Sequence, residues 1–114
     1  MDKISEQRMH QRLTALLPVD IRQLAFQMNT QAQCRDISAS GAGVIAGEKI
    51  TPNTRIEILL EIPSGEAPMR SLGRVVWTEQ LQQRSWRMGL QFDQADVMLI
   101  QRIFGKGGEL YLEK

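Results

Sequence analysis

Apolar and polar residues alternate along most of the chain, with the period of two that is typical of a β-strand buried on one face. The clearest run is residues 54–62, where isoleucine and leucine at even positions alternate with mainly charged neighbours. Strands are predicted at residues 19–28, 31–37, 44–46, 54–62, 69–79 and 86–92. Short antiparallel strands of this kind close most easily into a small barrel, because closure removes exposed sheet edges.

Two strands contain irregular positions. The run at 19–28 changes parity, because the apolar residues before Arg22 and after Gln23 fall on opposite faces. A β-bulge at this point would reconcile the two halves, and Asn29–Thr30 is expected to form the turn into the next strand. Gly73, inside the fifth run, is expected to mark a bulge or a close approach of two backbones.

The period of the pattern changes after residue 92. Asp93 can cap a helix, the apolar residues at 97, 100, 103 and 104 have helical spacing, and Gly105 is suited to end a helix. The sequence therefore predicts a helix over residues 93–105 that covers one opening of the barrel. Residues 106–114 are expected to form a tail.

The N-terminal residues have a different character. Residues 1–17 are followed by Pro18, which stops a helix at that point. We expect these residues to form an N-terminal arm, as either a short helix or a mobile segment. When no ligand is bound, mobility is expected. The barrel is then expected to span residues 18–92 of a single domain that comprises the whole chain.

Composition narrows the possible functions. A length of 114 residues, of which 42% are hydrophobic, predicts one domain with one modest core. A net charge of +1 gives no electrostatic reason to expect general nucleic-acid or membrane binding. One cysteine excludes an intramolecular disulfide, no apolar run is long enough to cross a bilayer, and the N-terminus lacks a signal-peptide core. The expected location is the cytoplasm, for a stand-alone protein or a module of a longer chain.

Catalysis and metal binding have few candidate residues. His10 is the only histidine. A catalytic triad of Ser38, His10 and Asp36 would have no oxyanion hole. A zinc site formed by His10 and Cys34 would have too few ligands. Trp77 and Trp86 lie in apolar runs and are expected to be core or barrel-rim residues rather than a base-stacking platform. We therefore expect neither an enzyme nor a metal or other cofactor.

An Asp-x-Ser-x-x-Gly pattern occurs at the end of the second predicted strand. In an extended chain Asp36 and Ser38 point the same way, roughly 6.5 Å apart, so they are expected to share one polar face. Cys34 and Ile37 are then candidates for burial. Gly41 permits a tight turn or the approach of a ligand to the backbone. The alternative is an ordinary turn, because aspartate, serine and glycine are common turn residues.

Two arginines precede this pattern. Arg8 and Arg12 are four residues apart, so they would share one face of a helix or converge on one ligand from an irregular arm. Guanidinium groups match phosphate oxygens and the O6/N7 edge of guanine. The pair indicates an anion or nucleotide site, and a solvated basic segment is the alternative.

Together, Arg-x-x-x-Arg followed by Asp-x-Ser-x-x-Gly resembles the signature of PilZ domains, a family that binds the bacterial second messenger cyclic di-GMP. The runs Gly73-Arg74-Val75-Val76-Trp77 and Met88-Gly89-Leu90-Gln91-Phe92 continue the resemblance, which covers nearly the whole chain. It implies an all-β fold, namely a six-stranded antiparallel β-barrel with a C-terminal α-helix and a flexible N-terminal arm.

The resemblance also implies a site for cyclic di-GMP. Its expected residues are Arg8, Arg12, Asp36, Ser38 and Gly41. The arginines would hold the phosphates and the Hoogsteen edges of the guanines, the aspartate would accept hydrogen bonds from guanine N1 and N2, the serine would add a hydrogen bond, and the glycine would keep the floor low. Possible accessory residues are Gln7, Gln33 and Arg35.

The implied mechanism is binding rather than catalysis. The ligand would order the arm across the barrel and present a new surface to a protein partner or an attached domain. One alternative is a PilZ-like interaction module without nucleotide binding. Another is a small barrel for single-stranded nucleic acid, which would need a basic groove with exposed aromatic side chains. We expect no DNA or RNA partner, no membrane insertion, and a monomer or homodimer.

Overall fold

The structure is a computed structural model that describes residues 13–63, 65, 67–96 and 98–104. These residues form six strands and one helix. In chain order they are β1 (Leu13–Gln23), β2 (Met28–Ile37), β3 (Gly41–Ala46), β4 (Arg55–Leu60), β5 (Met69–Gln82), β6 (Ser85–Phe92) and α1 (Leu99–Phe104).

The six strands close into one barrel. Each strand pairs antiparallel with two neighbours, in the order β1-β2-β3-β6-β5-β4. The chain leaves the sequential order after β3, because β4 lies between β1 and β5. The prediction of a six-stranded antiparallel barrel with a C-terminal helix is confirmed.

The barrel interior is the hydrophobic core. In β4, Ile56, Ile58 and Leu60 are fully buried, as their alternation predicts. Leu99 and Ile103 of α1 join the same cluster, so the helix packs its apolar face on the barrel core. Burying one such side chain contributes roughly 1.5–3 kcal/mol, whereas an exposed ion pair contributes about 0–1 kcal/mol. The interior therefore dominates stability.

The first strand begins earlier than the sequence pattern indicates. Leu13 starts β1 within residues 1–17, which the pattern assigns to the arm. Ala15 and Leu17 are buried and continue inward the alternation that includes Val19. The pattern misses this extension because the inward position holds a small alanine and the next residue is an exposed leucine.

Pro18 lies inside β1 without interrupting it. Its carbonyl accepts a hydrogen bond from the N–H of Glu61 at 3.2 Å, directly beyond the last β1–β4 pair, Val19 with Leu60. Because the N–H and C=O of a strand residue point to the same neighbour, the missing N–H of Pro18 falls where the ladder with β4 ends. Proline is tolerated at such a position.

The turn between β1 and β2 lies at residues 24–27, not at Asn29–Thr30. Gln27 has a φ of 55°, and its N–H donates to the carbonyl of Gln23 at 2.7 Å. Phe26 is 69% exposed in this turn. Of the apolar residues that suggested a second strand face, Leu24 and Phe26 therefore belong to the turn, whereas Met28 begins β2.

Of the two irregular positions, one differs from the expectation and one agrees with it. The β1–β2 ladder is regular from Leu17 through Arg22, where a bulge was predicted, and its register shifts instead between Thr14 and Leu17. Gly73 is a point of close approach, because a Cβ atom there would overlap the carbonyl oxygen of Gln91.

The helix begins later than predicted. Asp93, the expected cap, receives hydrogen bonds from the guanidinium of Arg55 at 2.7 and 2.6 Å. Asp96 takes the capping role, because its Oδ1 accepts a hydrogen bond from the N–H of Met98 at 3.1 Å. The predicted C-terminal end of the helix and the tail lie outside the described residues.

The Arg55–Asp93 ion pair makes the stability of the fold depend on pH. The hydrogen bond from Arg55 lowers the pKa of the Asp93 carboxyl in the folded state. Such a group stabilises the fold above its unfolded pKa of about 3.9, and the contribution is lost as the pH falls through the lower folded-state pKa. We expect Asp93→Asn to lower the Tm at neutral pH, by an amount that shrinks as the pH falls below about 4. Thermal unfolding followed by circular dichroism measures this, and a Tm difference independent of pH would contradict it.

Candidate functional site

The end of β2 presents two adjacent charged side chains to the outside of the barrel. The β2–β3 register shifts between Cys34 and Asp36, so Arg35 is the extra residue of a β-bulge. Cys34 and Ile37 on either side are fully buried, as predicted. Arg35 is exposed and Asp36 is half-buried. The bulge therefore turns both charged side chains away from the core.

The carboxylate of Asp36 lies against the outer side of β3. Asp36 is directly opposite Gly43, and a Cβ atom built on Gly43 would lie 2.9 and 3.0 Å from the two carboxylate oxygens. A side chain at position 43 would therefore displace the carboxylate. Gly43 is a candidate that motif reading leaves out, and its signal in the sequence is the Gly-x-Gly run that begins at Gly41.

Ser38 is buried, unlike the half-buried Asp36. It is 2% exposed, its N–H donates to the carbonyl of Gly41 at 2.8 Å, and its hydroxyl oxygen accepts from the N–H of Ser40 at 3.2 Å. These bonds close the turn between β2 and β3. The shared direction of Asp36 and Ser38 stays a prediction, whereas the burial and the hydrogen bonds of Ser38 show that its hydroxyl belongs to the turn. The contact of Ser38 with a ligand stays a prediction.

We expect Ser38→Ala to destabilise the fold by about 1 kcal/mol, because the N–H of Ser40 loses its side-chain acceptor. Urea unfolding followed by tryptophan fluorescence measures this loss. Ser40→Ala is the matched control, since the hydroxyl of Ser40 makes a single 3.2 Å contact, with the Ser38 hydroxyl. If Ser38→Ala were as stable as the wild type, the role of Ser38 in the turn would be refuted.

Gly41 begins β3 at a point of close strand contact. A Cβ atom at this position would overlap the carbonyl oxygen of Leu90 on β6. The missing side chain therefore allows β3 and β6 to pair. Its other role, to let a ligand approach the backbone closely, stays a prediction.

Asp36 adjoins an open depression of about 330 Å³. The depression is lined by Thr14, Arg35, Asp36, Ile45, Leu81 and Arg87. A second depression of about 440 Å³ shares Arg35 and Ile45 with the first and extends to Gln33 and Arg84. Arg35 and Arg87 therefore line the depression of Asp36, whereas Gln33 and Arg84 line the adjoining one, and motif reading misses both Arg84 and Arg87.

A row of paired residues connects Asp36 with an exposed aromatic ring. Asp36 pairs with Gly43, Gly43 with Gly89, and Gly89 with Trp77, across β2, β3, β6 and β5. Trp77 is 39% exposed, and the guanidinium of Arg87 lies 5.8 Å from the centre of its ring, within the range of a cation–π contact. Trp77 thus lies on the outer surface of the barrel wall and not in the core.

A bulge in β5 explains the exposure of Trp77. The β5–β6 register shifts between Val75 and Trp77, so Val76 is the extra residue. The side chains of Val76 and Trp77 therefore both face outward. Val75 is fully buried, whereas Val76 is 41% exposed. The sequence contains no sign of this extra residue, so the exposure of Trp77 is not evident from the apolar run in which it lies.

The assembled face combines three chemical groups. A carboxylate accepts hydrogen bonds in pairs, guanidinium groups bind anions, and an indole provides a surface on which a planar ring can stack. Asp36, Arg35, Arg87 and Trp77 supply these groups on neighbouring strands. The face is therefore suited to a planar, hydrogen-bonding and anionic ligand.

Gln7, Arg8 and Arg12 lie outside the described residues, but their point of attachment is described. Leu13 pairs with Ile37 and Thr14 pairs with Asp36, so the chain enters β1 directly beside the carboxylate. Arg8 is five residues before Leu13 in the sequence, and a segment of this length spans at most roughly 18 Å.

Two negative findings concern the described part of the chain. Among residues 13–63, 65, 67–96 and 98–104, no group of three or more histidine, cysteine, aspartate or glutamate side chains could hold a metal ion. The one helix in those ranges is too short to span a membrane.

Comparison with known proteins gives one family. The family model of the PilZ domain matches residues 6–105, which includes both sequence motifs. No curated protein is significantly similar in sequence.

Several solved structures are similar in fold, and two of them are the following. The Bacillus subtilis inhibitor of motility, MotI/DgrA, has a TM-score of 0.70 and 18% identity, and the match covers 94% of this chain and 52% of that one. The chain thus spans about half the length of that protein. The PilZ domain with c-di-GMP of YcgR from Escherichia coli has a TM-score of 0.62 and 12% identity, with 93% and 86% covered. At these identities the similarity shows the fold.

Proposed function

Because the chain belongs to the PilZ domain family, we propose that it is a receptor for cyclic di-GMP. The observation that carries this proposal is the position of Asp36. Its carboxylate lies over Gly43 on the outer face, beside a depression with arginines in its wall. The segment that contains Arg8 and Arg12 joins the barrel next to this carboxylate. The similar domain of YcgR was solved with c-di-GMP, which supports this choice of ligand.

The residues of the face match the chemistry of a cyclic guanine dinucleotide. The two oxygens of Asp36 would accept hydrogen bonds from N1–H and N2–H of one guanine, since a carboxylate presents two acceptors side by side. Arg35 and Arg87, on either side of the depression, would attract the phosphates. Trp77 would offer a stacking surface to a base.

Ser38 and Gly41 would act through the shape of the turn. Ser38 bonds Ser40 and Gly41 within the turn, and Gly41 permits the close pairing of β3 with β6. Both would thus fix the end of β2, where Asp36 lies. This role fits their burial better than the direct ligand contacts predicted from the motif.

The mechanism that we propose is capture of the N-terminal segment. Arg8 and Arg12 would bind the phosphates and guanine edges from the side opposite Asp36, and the ligand would hold residues 1–12 across the barrel. Ordering residues costs conformational entropy, which charge-assisted hydrogen bonds offset. The result would be a new surface, recognised by a partner protein or an attached domain in the cytoplasm, without a catalytic step.

Isothermal titration calorimetry tests the proposal directly. The purified chain is titrated with cyclic di-GMP, with GTP, and with a short single-stranded oligonucleotide. We expect binding of cyclic di-GMP and much weaker or no binding of the other two. An absence of heat with cyclic di-GMP would refute the proposal in favour of an interaction module without nucleotide. Preference for the oligonucleotide would favour a nucleic-acid-binding barrel.

A further inference from the structure

Two glycines on the outer face have surroundings unlike those of the other strand glycines. We infer that Gly43 and Gly89 are positioning residues of the site, Gly43 for its selectivity for guanine and Gly89 for its affinity, an inference that rests on the proposed function. Gly43 holds the recognition carboxylate of Asp36 against the barrel wall. Gly89 does the same for the indole of Trp77. Each glycine thereby fixes the position of one of the two groups that would contact a base.

The contacts of Gly43 explain its effect on Asp36. Its pairing places it between Asp36 on β2 and Gly89 on β6. An added Cβ atom would lie 2.9 Å and 3.0 Å from the oxygens of Asp36 and 3.2 Å from its Cγ. All three atoms belong to the carboxylate, so the carboxylate would have to move while the backbone could remain in place.

Gly89 has the same relation to Trp77. An added Cβ atom would overlap Nε1 of the indole and would lie 2.5 Å from Cε2 and 2.9 Å from Cδ1. The indole covers the backbone of β6 at this point, while its ring is approached by the guanidinium of Arg87. A methyl group would therefore push the ring away from the barrel wall.

The other two strand glycines serve a different purpose. A Cβ atom on Gly41 would overlap a carbonyl oxygen of Leu90, and one on Gly73 would overlap that of Gln91. Those glycines permit close approach of two backbones. Only Gly43 and Gly89, among the glycines within the described strands, lie under side chains, and these two glycines are paired with each other.

The pairing gives the face a defined length. Asp36 and Trp77 are separated by two glycine positions, so their backbones are three strand spacings apart, roughly 14 Å measured along the sheet. Between them the wall carries no side chain at either glycine. The carboxylate and the indole lie over these two glycines instead, so both recognition groups stay close to the barrel wall.

The two glycines are expected to affect affinity in different ways. The carboxylate recognises the N1 and N2 donors of guanine, so moving it reduces discrimination between bases. Stacking on an indole is tolerant of the base, because every base has a π-face. Gly43→Ala should therefore reduce selectivity, and Gly89→Ala should reduce affinity without changing selectivity.

The experiment compares cyclic di-GMP with cyclic di-IMP, which lacks the exocyclic N2 amino group, by calorimetry. For Gly43→Ala we expect about tenfold weaker binding of cyclic di-GMP and a reduced preference over cyclic di-IMP. For Gly89→Ala we expect both ligands to weaken by a similar factor, about tenfold. Gly47→Ala is the matched control, because its Cβ would meet only the carbonyl oxygen of Arg84 at an ordinary 3.6 Å.

Double variants and an NMR signal separate positioning from general damage to the fold. In the Asp36→Ala background, Gly43→Ala should cause little further loss, and the same holds for Gly89→Ala in the Trp77→Leu background. Gly89→Ala should also shift the indole N–H resonance of Trp77, assigned by its absence in Trp77→Leu, without ligand. Additive losses, a retained preference in Gly43→Ala, or an unmoved resonance would each overturn the inference. Failure of the wild type to bind cyclic di-GMP would refute the proposed function but leave the resonance test valid.

Discussion

Cyclic di-GMP is expected to bind the double variant Arg8→Ala/Arg12→Ala roughly 30-fold to 10⁴-fold more weakly than the wild type, since each bidentate arginine contact contributes about 1–3 kcal/mol. Both arginines precede β1, and the core of the described residues includes neither of them. We therefore expect an unaltered Tm in the absence of ligand together with this loss of affinity. Calorimetry and thermal unfolding of the same samples measure the two quantities.

The control for this variant removes two arginines from another part of the barrel. Arg22 and Arg70 both form ion pairs with Glu57, at 3.0 and 3.5 Å. Glu57 lies on β4, which is three strands away from β3 in the barrel order. Arg22→Ala/Arg70→Ala changes the net charge equally and should leave the affinity nearly unchanged. If both double variants weakened binding to the same extent, a general effect of charge would explain the loss. The proposed contacts of Arg8 and Arg12 with the ligand would then be refuted.

Asp36→Ala is expected to weaken cyclic di-GMP binding by roughly 10-fold to 150-fold, because a hydrogen bond to a charged group contributes about 1.5–3 kcal/mol. Asp36→Asn should also weaken binding, because the amide replaces one acceptor oxygen with a donor. The side chain is half-buried on the outer face, so neither variant should prevent folding. Calorimetry with cyclic di-GMP gives the affinities.

Asp20→Ala is the matched control for the carboxylate. Asp20 is an exposed aspartate of β1 that is paired with Gln31 and Leu59, at the other end of the strand from Thr14. Its removal should leave the affinity unchanged. Full affinity in Asp36→Ala would place the recognition of guanine elsewhere on the barrel.

A strand was predictable from the sequence where its inward-facing residues are large. In β4 the inward positions Ile56, Ile58 and Leu60 are large and fully buried, so alternation alone predicts the strand and its buried face. In β1 an inward position is Ala15, and the proline is harmless only because of the neighbour it faces. That neighbour is a property of strand pairing, which local sequence does not contain.

The same limit applies to the candidate site. The motif was sufficient to find Asp36, which lies on an outward face beside a depression. The burial of Ser38 depends on the turn that follows β2, and the exposure of Trp77 depends on one inserted residue in β5. The row that joins Asp36 to Trp77 consists of cross-strand partners from four strands. Such a row exists only once the barrel has closed.

The pairing of Leu13 with Ile37 has a consequence for affinity. The two halves of the proposed site are tethered at one point, since the N-terminal segment leaves the barrel beside the carboxylate that it would assist. For a short tether of this kind the effective concentration of one half near the other is on the order of millimolar. A ligand seated on the carboxylate would therefore meet the arginines in an intramolecular step, and the cost of closing that loop would rise only slowly if the tether were longer.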